Sequence, residues 1–316
     1  MAARRGLGGL LRAARRADRA SAGGGRTEPR RRARSGHGRD RPLAPARVEL
    51  RLSSGDRGAC RMSLEACAAL VERGDPDRHA AAMAAPPAAR ARLWPLYAFN
   101  LEVARAPWVT REPMIAEMRL QFWRDVVEEA PEGRSRAHEV AGPLAALIRE
   151  AALPVPLLEA MIEARRHDIW TEPFADEAAF GAHLDATAAG LMWASALALG
   201  APAEAETAMR AVGWAAGLAA WLQAVPELEA RGRQPLPDGR PEAVVALARA
   251  GLARLESGRR VRLPRNARPA LLPAWQAGAL LRLAADEPGR VAAGRLQLSE
   301  FARRGRLLRA AFTGRI

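Results

Sequence analysis

The sequence contains no lysine, so all 49 basic residues are arginine. With abundant alanine and glycine, that is what a very GC-rich genome would encode. Part of the arginine content therefore reflects mutational bias rather than function. Cysteine is nearly absent: Cys60 and Cys67 are the only two, and they support neither a disulfide framework nor a zinc site. Cys67 falls on the apolar face of a short helix and reads as a small core residue; a reducing compartment fits this usage. His79, His138, His167 and His183 are scattered, with no His-x-x-x-His spacing and no paired carboxylate. There is no Gly-rich phosphate loop and no nucleophile elbow. No run of alternating β-branched residues is long enough for a strand. No apolar segment has the form of a secretory signal. The longest uncharged run, Ala186 to Ala203, is mostly Ala and Gly, which contribute little to membrane insertion. It reads as a buried central helix.

The charge that is present is unevenly placed. Residues 1–61 hold 17 Arg against 5 acids, a net of +12 out of the total of +14. The rest of the chain is nearly neutral, which argues against nucleic acid as a partner of the body. Residues 1–61 are Gly- and Arg-rich with little apolar content, and a disordered leader is expected there. An organelle transit peptide, a basic arm and an upstream extension all fit it. The abrupt change of composition at Met62-Ser63 favours an extension, and puts the folded part at 62–316.

From Ser63 the chain reads as helix after helix. The first, LEACAALVER, is capped by Ser63 and stops at Gly74. Further helices are expected at 78–84, 87–106, 112–130, 137–151, 155–169, 175–199, 203–225, 240–256, 268–284 and 292–312. Their breaks are Pro, Gly or polar clusters such as Pro131-Glu132-Gly133 and Gly200-Ala201-Pro202. The fold class is all-α. Around Leu96 to Glu129 two helices stand out. One ends before Pro107 and carries Tyr97, Leu101, Ala104 and Trp108 on one side. The other opens after Thr110 as N-cap, with Met114, Met118, Phe122 and Val126 on a predicted buried face. At the C-terminus, Gly294 to Ile316 reads as a basic amphipathic helix. Leu298, Phe301, Leu308 and Phe312 lie on one side of it and arginines on the rest. It either lies on an anionic membrane, each Arg there contributing ~1 kcal/mol, or packs on the body with a solvated basic face, the commoner arrangement.

Two stretches carry a family resemblance. Gly213 to Pro237 resembles the second signature of the squalene/phytoene synthase family, the head-to-head prenyl transferases. Gly213, Ala215, Leu218, Leu222, Val225 and Glu227 match, as do Arg231-Gly232-Arg233 and Leu236-Pro237. Leu96-Tyr97-Ala98-Phe99 is similar to the Leu-Tyr-Ala-Phe ahead of the first Asp-rich box. Asp168 and Ala189-Gly190 sit where the family has an Asp-bearing helix end and an Ala-Gly helix. The resemblance implies a single helical bundle of the isoprenoid synthase type. It also implies Mg²⁺ held by two Asp-rich boxes that neutralise a diphosphate leaving group.

The sequence departs from that pattern at the metal positions. The first box corresponds to Ala104 and Trp108, the second to Ala224 and Leu228. The family's Gln and Asn upstream of the second box correspond to Gly217 and Ala220. Glu102, Asp125 and Glu227 are the residual acids, and no metal is expected. Arg105, Arg119, Arg124, Arg231 and Arg233 are candidate diphosphate ligands; for Arg119 and Arg124, pairing with nearby acids at helix spacing is the simpler expectation. Tyr97, Phe99, Phe122 and Trp123, with Trp94 and Trp108 nearby, would line or fill the isoprenoid space. Ala98-Phe99-Asn100 and Met118 to Trp123 resemble the non-catalytic branch typified by a respiratory complex I assembly factor. That resemblance implies a scaffold or assembly role with a protein partner and no cofactor, while the amphipathic segment 294–316 offers peripheral membrane contact. The alternatives are an active prenyl transferase using Mg²⁺ through unusual ligands, and a module that binds an isoprenoid or lipid phosphate without turnover. A cytoplasmic place, with peripheral contact at the inner membrane, follows from the same reading.

Overall fold

A computed structural model describes residues 54–314 and 316, with side chains described from residue 64. Most of the basic leader lies outside the described residues. Helix α1 spans Ser54–Gly74, so Ser63 is an interior residue of a longer helix and not its cap. The Asp75 carboxylate caps α2 (Pro76–Met83) by accepting from the Arg78 N–H at 3.0 Å.

Helix α3 (Pro87–Arg105) is buried almost all round from Leu93 to Leu101, and so runs through the core. A 3₁₀ turn at Ala106–Trp108 finishes it at the predicted proline. Helix α4 spans Pro113–Glu129. Thr110 is not its N-cap; its hydroxyl accepts from the Glu112 N–H at 3.1 Å, one turn earlier. The predicted buried face of α4 is also corrected. Val126 is buried and Phe122 packs partly buried on the core, as expected, but Met114 and Met118 are 72% and 66% exposed; Ala116, Leu120, Trp123 and Val127 complete the core-facing side. An apolar residue is not obliged to be inside. Here the helix turned on its largest side chain, Trp123.

Helices α5 (Ala141–Glu150) and α6 (Val155–Ala164) follow, then α7 (Glu177–Leu184), a π turn at Asp185–Ala189 and α8 (Gly190–Ala198). The π turn and α8 carry most of the uncharged run and are largely buried, as expected for it, although the helix ends at Ala198. Helix α9 (Glu206–Glu229) is the longest of the described helices and is flanked by α8, α10 (Pro241–Gly258) and α11 (Ala277–Asp286). It runs past its expected end, with Pro226 inside it. The proline withholds one backbone donor. After the short α12 (Gly289–Ala292), the last helix α13 spans Glu300–Thr313, capped by the Ser299 hydroxyl. The long helix predicted from 292 is therefore interrupted. Among the described residues there is no strand, and no helix is long and apolar enough to cross a membrane.

Candidate functional site

The ends of α3 and α9 bring the four box positions into the core. Ala104, Ala224 and Leu228 are buried, and Trp108 is half-buried beyond the end of α3. Trp108 and Leu228 line one cavity of ≈ 20 Å³ with Asp168 and Arg233. That volume holds about one water molecule. Magnesium ions with a diphosphate need far more.

What fills the space is an aromatic–cation stack. The guanidinium of Arg231 lies 5.3 Å from the centre of the Trp108 ring, and that of Arg233 lies 5.0 Å from it. Arg231 is held by Glu227 at 3.2 Å, one helical turn earlier. Arg233 donates to the main-chain carbonyls of Asp168 and Trp170. Burial lowers its pKa below the ordinary arginine value. Asp168 is itself buried and paired with Arg165 at 3.0 Å. The loop after α9 is tied back by the Trp221 indole N–H, which donates to the Pro235 carbonyl at 2.8 Å. Arg231, Arg233 and Asp168 are each engaged by another protein group, so the arrangement can lock two helix ends together.

The remaining candidates are dispersed. Glu102 sits 3.5 Å from Arg105 on the same helix, and the Arg105 Nε is buried without a partner. Asp125 accepts from Gln121 at 2.6 Å and pairs with Arg136 at 3.1 Å, and it lines neither cavity described here. Arg124 pairs with Glu163 of α6 at 2.6 Å, and Glu117 with Arg166 at 3.0 Å. These acids and arginines do pair, but between helices rather than along one. Arg119 is exposed on α4. Phe99, Phe122 and Trp123 line neither of the cavities described here; Phe99 and Phe122 each pack edge-to-face on Trp123, which meets His138 in the same way. Trp94 stacks on His79.

Tyr97 alone of the predicted lining residues reaches a second cavity, of ≈ 140 Å³, between the core helices. Its hydroxyl is buried without a hydrogen-bond partner, and burial pushes its pKa up to about 12. The Arg78 guanidinium lies over its ring at 5.4 Å, and Arg78 Nη1 is likewise buried and unpartnered. Asp77 accepts from Gln276 at 3.0 Å and meets Arg303. Burial raises its pKa against the pull of Arg303. This polar end went unpredicted. Asp75-Pro76-Asp77 read as turn chemistry, and nothing local shows that Gln276 and Arg303 return to it. The cavity floor is made by close packing. A Cβ on Gly217 would stand 2.4 Å from the Ala188 Cβ, and one on Gly213 2.7 Å from the Ala189 Cα.

The squalene/phytoene synthase family model matches residues 71–239, more than half of the chain. The chain belongs to the squalene/phytoene synthase family. The match spans both signature stretches and the Trp108 stack between them. The fold is that of the isoprenoid synthases. A dehydrosqualene synthase crystallised with a ligand superposes with a TM-score of 0.67 at 12% identity, covering 81% of this chain and 98% of that one. The squalene synthase HpnC from Alicyclobacillus acidocaldarius superposes with a TM-score of 0.64 at 17% identity, covering 73% and 97%. None of the curated proteins matches this chain. The magnesium that the family implies does not fit these residues. Alanine, leucine and tryptophan offer no hard oxygen donor. Glu227, the acid left in the second box, is already engaged by Arg231. Among the described residues, no three Asp, Glu, His or Cys side chains converge as a metal site would require.

Proposed function

We propose that this protein is a non-catalytic member of its family that works by holding a protein partner, as an assembly or scaffold factor. The observation that carries the reading is the Arg231–Trp108–Arg233 stack at the place of the metal–diphosphate layer. Ionising a prenyl diphosphate requires several negative charges to be neutralised in an apolar cavity, and this stack leaves room for one water. The second cavity points the same way. Ligand pockets for small molecules run to about 300–1,000 Å³, whereas this one is ≈ 140 Å³. Two prenyl chains do not fit in it. Met114, Ile115 and Met118 are exposed on α4. Flexible thioether side chains of that kind suit adaptable contact with a protein. The resemblance of Ala98-Phe99-Asn100 and Met118–Trp123 to the respiratory complex I assembly branch supports this class of role.

The test follows pyrophosphate release from farnesyl and geranylgeranyl diphosphate, with and without Mg²⁺. No release above a heat-treated control is expected. Mg²⁺-dependent release would restore the prenyl transferase reading, and Glu227→Gln would then be the first variant to make.

A further inference from the structure

The last helix carries a feature that the core does not use. Ala310 is its one buried residue, and that side sets the direction in which α13 rests on the body. At 100° per residue, Phe301, Leu308 and Phe312 fall within about 20° of the opposite direction. They are 90%, 59% and 82% exposed. Isolated exposed apolar residues are ordinary, but two phenylalanines and a leucine in register along one stripe are not. The stripe has a basic margin on each side, Arg304 on one and Arg309 on the other, with Arg306 beyond Arg309. Four arginines stand on this helix against one acid, Glu300, at its N-terminal end. The helix itself is well fastened. Ser299 caps it, Gly314 closes it in a left-handed conformation, and Arg303 reaches back to Asp77 of α2. That anchor fixes the rotation of the helix, so the stripe is held pointing outwards.

We infer that α13 docks the protein on the surface of an anionic lipid bilayer, lying in the interface plane. Phe301, Leu308 and Phe312 enter the acyl boundary, while Arg304 and Arg309 meet lipid phosphates on either side. Charge complementarity chooses this occupant. A narrow apolar stripe with arginine on both margins matches a plane of phosphates over hydrocarbon. The body as a whole is nearly neutral, with a net charge of about +2 over residues 62–316.

Hydrogen–deuterium exchange of the full chain, with vesicles of phosphatidylcholine alone or mixed with phosphatidylglycerol, tests this directly. It localises contact, so binding by the Arg-rich residues 1–61 is read separately. Slowed exchange at 300–313 with the mixed vesicles, and not with phosphatidylcholine alone, is expected. Phe301→Ser with Phe312→Ser should raise the lipid concentration needed for half-protection by about tenfold or more. Arg304→Gln with Arg309→Gln should have a similar effect and remove its salt dependence. Since these side chains face water, circular dichroism should be unchanged. Unchanged exchange at 300–313 with anionic vesicles would overturn the inference and give the stripe to a protein partner. So would full protection in the phenylalanine double variant. Neither result bears on whether prenyl diphosphates are turned over.

Discussion

Gly217 falls at a position for which the family resemblance implies a glutamine, and its environment leaves no room for one. A Cβ there would lie 2.4 Å from that of Ala188, in the π turn that packs against α9. Helix contact rather than open space occupies that position. Gly217→Gln should therefore destabilise the fold by about 1–3 kcal/mol or more, the usual range for overpacking, measured by urea unfolding. A change below about 0.5 kcal/mol would show that the helices part easily. His183 offers a second test. It is buried against Phe174 and Trp221, its Nε2 has no partner, and burial lowers its pKa from 6.5 to about 4. The folded state holds it neutral while the unfolded chain takes up a proton near 6.5. Stability from this group is complete above that pH, falls as the pH drops from 6.5 to about 4, and falls no further below. The depression corresponds to about 3 kcal/mol. His167 adds to it with the same sign. His183→Phe should flatten that part of the urea-midpoint profile, whatever it does to stability at neutral pH. A profile as steep as the parent's would contradict the assignment.

At the scale of elements, the ends of α3 and α9 are joined through Trp108 and two arginines. Trp108→Ala should cost about 1–3 kcal/mol through lost packing and lost cation–π attraction. It should also loosen the loop from Arg231 to Pro237, which limited proteolysis would detect. Unaltered stability and protection there would mean that the stack is incidental. Helix positions were largely legible in the sequence because Pro and Gly punctuate them. Gly133 and Gly200 both take the left-handed conformation their breaks required. Helix faces were less legible. Much of the apolar content is alanine, which marks inside and outside weakly, so the rotation of α4 was fixed by Trp123 and not by its methionines. The start of α13 was misplaced because Ser299 and Leu298 do not betray a break until the cap is seen. In the site, the loss of donors at Ala104, Trp108, Ala224 and Leu228 could be read residue by residue. The stack over Trp108 could not, since it joins residues more than a hundred positions apart.

Across the whole molecule, most of the net charge stands in residues 1–61 and the helical body is nearly neutral. That body has kept the family's architecture at 12% and 17% identity to solved relatives. Helix packing around apolar side chains tolerates such divergence, whereas a metal site tolerates almost none. Scaffold and chemistry can therefore part company, and in the function proposed here the metal–diphosphate layer is gone. Isothermal titration of the full chain with inorganic pyrophosphate, at fixed excess Mg²⁺ and again with chelator, addresses that claim most directly. No saturable binding that depends on Mg²⁺ is expected. Saturable binding of pyrophosphate present with Mg²⁺ and absent with chelator would contradict it.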